Sequence, residues 1–132
     1  MMEEFTLSNR FVVMPREANH YGNVHGGEIM HAADNLAYLI ASRYSRKNVV
    51  TARVNEINFK APVKIGDMVE MNGRITRVGR TSMDVEICIR AEKLRTGEMF
   101  DVADARFTMV AVDSGGRPVP VKDDEGIERG AV

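Results

Sequence analysis

One segment of this chain is built to a different period from everything after it, and it is too apolar to stand in water alone. From Asn23 to Tyr44 the sequence reads NVHGGEIMHAADNLAYLIASRY. Ile29, Ala33, Leu36, Ala37, Ile40 and Tyr44 fall on the i, i+3, i+4, i+7 template, which predicts a helix from about Gly27 to Tyr44. At about 100° per residue, Ile29, Ala33, Leu36 and Ile40 share one narrow stripe. Asp34 falls just beyond the edge of that stripe.

The remainder reads as strands. FTLSNRFVVMP gives a short strand or arm that stops before Pro15, and VVTARVNEINF is rich in β-branched residues. In MVEMNGRITRV, Val69, Met71, Gly73 and Ile75 face one way. In SMDVEICIRAE, Met83, Val85, Ile87, Ile89 and Ala91 do the same. MFDVADARFTMVAV is a last strand of weaker alternation. Period-two patterns of this kind mark half-buried antiparallel strands. VGRT and LRTGE read as turns between them. One apolar helix followed by strands is covered by a single curved antiparallel sheet wrapped around it, an α+β layer architecture.

Length and charge narrow the function classes. The 132 residues suit one domain, 1–132, with a core over about 5–121 and a polar tail, 122–132, expected to fray. A net charge of -1 argues against a general nucleic-acid binder. The longest apolar run is far short of a membrane span. Cys88 is the only cysteine, so no intrachain disulfide can form. With no signal peptide at the N-terminus, the cytoplasm is the expected compartment. Cys88 alternates with apolar residues and reads as a structural thiol rather than a nucleophile. His20, His25 and His31 form no HxxxH or HExxH pair, and His25 and His31 stand on different helix faces, so no metal site is expected.

Gly26, Gly27 and Asp34 are odd choices for such a helix, because glycine and aspartate both disfavour helix interiors. Two readings compete. The glycines only shape the loop and Asp34 is a solvated helix aspartate. Alternatively, the bare N–H groups of the helix start polarise a carbonyl that glycine lets approach closely, and Asp34 does chemistry nearby. Along the helix Asp34 is about 10 Å from Gly27, so one chain would not easily bring both to one carbonyl.

These stretches resemble a known family. GNVHGGEIMHAAD is similar to the helix-entry motif of acyl-CoA thioesterases of the hotdog superfamily, and NFKAPVKIGD and VGRTSMDVEI resemble two further motifs of that group. The three stand in the family's order over roughly residues 13 to 113, closest to the branch of broad-specificity bacterial and mammalian cytosolic acyl-CoA hydrolases. The resemblance implies a hotdog fold, a sheet wrapped around one long helix, and hydrolysis of an acyl-CoA to free acid and CoA. It implies an active site between two subunits, with Asp34 of one meeting Asn23 and Gly27 of the other. Asp34 would be general base or nucleophile, Asn23 would position water or the carbonyl, and the Gly27 N–H would hold the oxyanion.

Gly26 belongs to that entry motif and is expected to contact the substrate. His25 either orders the loop or touches substrate, and Glu28 keeps a small claim as an alternative base. Gly79, Arg80, Thr81 and Ser82 would line the CoA groove, Arg80 by gripping phosphate; a plain β-turn with solvated charges competes with this. The acyl chain would lie against Met30, Ala33 and Phe59. CoA is part of substrate and product, so no cofactor is implied. A homodimer is expected, further assembled as a trimer of dimers, a hexamer. Two other readings stay open: a non-catalytic acyl-CoA-sensing module and a hotdog dehydratase.

Overall fold

The computed structural model describes residues 6–123. Its one α-helix, α1, runs Gly26–Ser45, a residue beyond the expected span at each end. Among the described residues there are five strands: β1 (Leu7–Val12), β2 (Asn48–Phe59), β3 (Met68–Val78), β4 (Ser82–Lys93) and β5 (Glu98–Val112). They form one antiparallel sheet in the order β1-β3-β4-β5-β2. The sheet curves around α1, which is the hotdog fold.

The apolar stripe read from the sequence is the buried face of α1: Ile29, Ala33, Leu36, Ala37 and Ile40 are buried there, while Tyr44 is only half-buried at its end. It packs on the inward residues of β3 and β4, among them Met71, Ile75, Met83 and Ile87. Gly73 sits in the middle of that contact. A Cβ there would lie 2.6 Å from the Cδ1 atoms of both Ile40 and Ile87, so only glycine lets the helix come this close to the sheet.

The outer face carries a cross-strand polar network. Lys60 pairs with Asp104 at 2.9 Å and Arg74 with Glu86 at 3.0 Å, and Arg106 reaches Glu56. Hydrogen bonds from Lys60 and then Asn58 hold the Asp104 carboxyl below its usual range.

Cys88 belongs to this outer face: it alternates with the buried apolar residues as expected, but it is exposed rather than packed as a structural thiol. The alternation that buries Ile87 and Ile89 turns Cys88 outward, where it is exposed between Glu86 and Arg90. Partial burial, then the charge of Glu86, pushes its thiol pKa up, which opposes nucleophilic reactivity.

The C-terminal segment is anchored as far as it is described. Val121 is buried, and Lys122 and Asp123, read from the sequence as the start of a frayed tail, are tied to the end of α1 through the Tyr44 carbonyl and Lys47. Residues 124–132, the rest of that expected tail, lie outside the described residues. No helix among the described residues is long and apolar enough to cross a membrane.

Candidate active site

α1 starts without a side-chain cap. His25, its N-cap residue, is extended, and its imidazole makes no capping bond. The His25 carbonyl takes the Glu28 N–H at 3.0 Å. The N–H groups of Gly26 and Gly27 find no acceptor among the described residues. Two bare donors at the positive end of a 20-residue helix suit a carbonyl oxygen that gains negative charge. The two glycines differ in their surroundings. A Cβ on Gly27 would meet nothing within 4 Å, whereas one on Gly26 would stand 3.2 Å from the Phe59 ring. A ligand therefore reaches the donors from the Gly27 side.

The loop before the helix is pinned by asparagines. The Asn19 side-chain oxygen accepts the N–H groups of Tyr21 at 2.9 Å and Asn23 at 3.1 Å. Gly22, at φ +83°, supplies the left-handed turn between them. Asn23 bridges to Lys64 through the backbone, and its Oδ1 accepts from the Lys64 ammonium at 3.0 Å. Those bonds orient the amide and leave its NH2 to donate outward. The exposed His25 orders the loop through its backbone, its N–H donating to the Glu17 carbonyl at 3.1 Å.

Asp34 stands two turns further along α1 and is half-buried. Thr51, on β2, donates its hydroxyl to Asp34 Oδ1 at 2.6 Å. This fixes one carboxylate oxygen and leaves the other for water or a carbonyl carbon. Gly27, Asp34 and Thr51 line the same shallow groove of about 360 Å³, together with Met30, His31, Val54 and Phe107. Seven helical residues, about 10 Å, still separate the Gly27 donor from the Asp34 carboxylate. Glu28 lies elsewhere, in a cavity between α1 and β1.

The remaining expected residues form the turn from β3 to β4. The Gly79 N–H closes it onto the Ser82 carbonyl at 2.8 Å. The carbonyls of Arg80 and Thr81 accept from Val121 and Ala111, so the backbone acceptors of the turn are occupied. The Arg80 side chain is exposed and has no partner among the described residues. Ser82 aligns with Val110, and Val110 with Val50, next to Thr51. Two strand spacings, about 10 Å, thus separate the turn from the Asp34 side of the sheet. None of its four residues lines the Asp34 groove. Among the described residues no group of three His, Cys, Asp or Glu is placed to hold a metal ion.

Sequence reasoning passed over Thr51 and Asn19. Thr51 had no signal, being one threonine in a β-branched run. Asn19 had a weak one, an asparagine three residues before a glycine in a loop rich in turn formers.

Comparison with known proteins points the same way. Residues 21–98 match the model of the thioesterase superfamily. Protein VdlD of Helicobacter pylori is 36% identical over 111 residues, 84% of this chain, and the chain spans 63% of that protein's length. A crystal structure of an apo-hexameric acyl-CoA thioesterase superposes with a TM-score of 0.87 at 35% identity, covering 90% of this chain and 76% of that one. An acyl-CoA hydrolase from Staphylococcus aureus, solved with butyryl-CoA and CoA, gives 0.84 at 28% identity, covering 90% and 73%. Alanine variants of that enzyme at one aspartate, one asparagine and one threonine have also been solved. Its threonine follows its aspartate at the spacing of Thr51 from Asp34, and its asparagine precedes the aspartate at the spacing of Asn19.

Proposed function

The chain belongs to the thioesterase superfamily, and on that premise we propose that it hydrolyses an acyl-CoA thioester to a free carboxylic acid and CoA. The observation that carries this reading is the shared groove. An unsatisfied helix N-terminus opens onto one end of it, and a carboxylate fixed by a threonine hydroxyl onto the other.

The chemistry follows from those groups. The Gly27 N–H takes the thioester oxygen and strengthens its bond as the carbonyl becomes tetrahedral; losing one such donor costs about 3 kcal/mol of transition-state stabilisation. Asp34 takes a proton from water as it attacks the carbonyl carbon, or attacks that carbon itself to give an anhydride that water opens. In both routes the C–S bond breaks and CoA leaves as the thiolate. The Asn23 amide aligns water or carbonyl, and Asn19 holds the turn that aims it. Arg80, free at the β3–β4 turn, takes a phosphate of CoA, with Gly79, Thr81 and Ser82 shaping the groove beside it. CoA arrives with the substrate, and no further cofactor enters.

The 10 Å between Gly27 and Asp34 is closed by a second copy. Two protomers related by a two-fold axis, joined along β2 and the exposed stripe of α1, bring Asp34 of one to Gly27 of the other. Such dimers assemble further as a trimer of dimers. The single cysteine fits a reducing cytoplasm.

The test is steady-state CoA release from short, medium and long acyl-CoAs. Wild-type protein turns over, and folded Asp34→Asn loses about 10²- to 10⁴-fold. Tight acyl-CoA binding with no release above background would replace this reading with a sensing module. Release that survives Asp34→Asn would move the chemistry to another group.

A further inference from the structure

Gly27, Asp34 and Tyr38 follow one another along the outward face of α1, away from its buried stripe. Tyr38 is one turn past Asp34, at the i+4 spacing that makes helix residues neighbours. It is 47% exposed. With Asn48, the first residue of β2, it lines a shallow cavity of about 800 Å³. The other polar groups of this face are engaged: Thr51 holds Asp34, and Asn35 holds His31. The Tyr38 hydroxyl has no hydrogen-bond partner among the described residues. Packing within one chain does not explain a large exposed aromatic with a free hydroxyl one turn from the proposed carboxylate.

The two-fold arrangement proposed above sets what Tyr38 meets. Asp34 of one chain stands opposite the partner's Gly27, and the reverse, so the two helices run antiparallel. Four residues past Asp34 on one helix is then opposite four residues before Gly27 on the other. Those residues are Tyr38 and the partner's Asn23. We propose that the Tyr38 hydroxyl of one chain accepts a hydrogen bond from the amide NH2 of the partner's Asn23 and so positions that amide at the reacting carbonyl. The inference rests on the shared thioesterase site.

The donors and acceptors match. Asn23 is half-buried, and its Oδ1 accepts from the Lys64 ammonium at 3.0 Å. Its NH2 group donates to nothing among the described residues. An amide NH2 has two hydrogens. A hydroxyl on one of them stops the amide from turning and leaves the other for water or the thioester oxygen. The Lys64 bond alone holds the amide poorly, because it ends on a long, flexible side chain at the surface. A phenol is better suited, since a tyrosine has only two side-chain torsions to fix. Tyr38 acts on the substrate only through Asn23, so it is a positioning residue.

The test uses full-length Tyr38→Phe, which keeps the ring and loses only the hydroxyl. The kcat for CoA release is expected to fall about three- to ten-fold with KM nearly unchanged, while sedimentation velocity shows the assembly intact. In an Asn23→Ala background the same change costs nothing further, because the group it positions is gone. Mixed dimers of Asp34→Asn chains with Gly27→Pro chains, which lack the oxyanion N–H, add the direction. Their one working site takes Asp34 and Tyr38 from the Gly27→Pro chain, and Gly27 and Asn23 from the other. Tyr38→Phe therefore lowers the recovered rate more when the Gly27→Pro chain carries it than when the Asp34→Asn chain does. Four results would overturn the inference and leave the thioesterase reading standing: wild-type kcat in Tyr38→Phe, an equal loss with and without Asn23, equal losses in the two mixed dimers, or a loss that comes only with dissociation of the assembly. Mixed dimers that recover no activity remove the shared site and this inference with it. Wild-type protein that releases no CoA overturns the thioesterase reading as well.

Discussion

The two edges of the sheet are finished in opposite ways. β1 has six residues and covers only the first half of β3. Ser8, Asn9 and Arg10 face outward beside the exposed Val12, and Arg10 bridges to Glu70 on β3 at 2.7 Å. A short, charged edge resists further pairing. β2 has twelve residues, and its outer edge is unpaired among the described residues. Val50, Val54 and Phe59 are all more than 40% exposed along it. A long edge left unpaired, with apolar side chains among its polar ones, is open to a second strand, and two solved relatives are themselves hexameric. The groove with Gly27, Asp34 and Thr51 opens beside this edge, not beside β1. The difference teaches that the β1 edge is closed to further pairing while the β2 edge, beside the groove, is left open, which is where the reading proposed above puts a second copy.

The sharpest way to break that comparison is a charge on β2. Val54→Asp is expected to dissociate the assembly and cut CoA release by about 100-fold or more, since both would depend on the same strand. Asn9→Asp on β1 leaves both unchanged. Sedimentation velocity together with turnover reads the two effects in one preparation.

Thr51→Val is the next largest. It removes the donor to Asp34 Oδ1 and keeps the shape of the side chain. The expected loss in kcat is about ten-fold, the cost of a misaligned carboxylate if Asp34 acts as proposed, with KM nearly unchanged. A fall in stability with kcat intact would make the bond structural only.

Gly73→Ala works on the β1 side, where Gly73 aligns with Leu7. The added Cβ collides with Ile40 and Ile87, so unfolding free energy should fall by about 1–3 kcal/mol, while the activity of the protein that remains folded stays near wild type. Urea denaturation and turnover per folded molecule separate the two.

The smallest effect is on the outer face. Because Lys60 and Asn58 lower the Asp104 pKa, that carboxylate stabilises the fold above its ordinary value of 3.8 and stops doing so as pH falls through its folded pKa. Asp104→Asn should therefore lower the urea midpoint slightly at pH 7, and the difference from wild type should shrink as pH falls through the folded pKa of Asp104.

Much of this fold could be read from the chain because its core elements obey simple periods. The α1 stripe and the alternation of β3 and β4 each reflect one buried face, and a buried face imprints its period on the sequence. β2 could be read only as a strand, not by its faces. Its residues are exposed on both sides apart from Val49 and Ile57, so no buried face disciplines the pattern. The site was half legible. Asp34, Gly26 and Gly27 stood out because they break helix preferences. Thr51 did not, because its value comes from a contact across 17 residues that no local rule encodes. The distinction between Gly26, backed by the Phe59 ring, and the open Gly27 is likewise a tertiary fact. The alternation of Cys88 with apolar residues was legible, but not that the face it turns to is exposed, because period two sets a side and not what covers it.

The measurement that tests the account most directly is complementation between two inactive variants. Asp34→Asn removes the carboxylate, and Gly27→Pro removes the oxyanion donor in the first helical turn, where proline is tolerated. Each alone should be inactive. Unfolded together and refolded, they form mixed dimers that carry one intact site, Gly27 from one protomer and Asp34 from the other. The account predicts recovery of about a quarter of the wild-type rate. A mixture no more active than the separate variants, with mixed dimers shown to be present, would contradict a site shared between two chains.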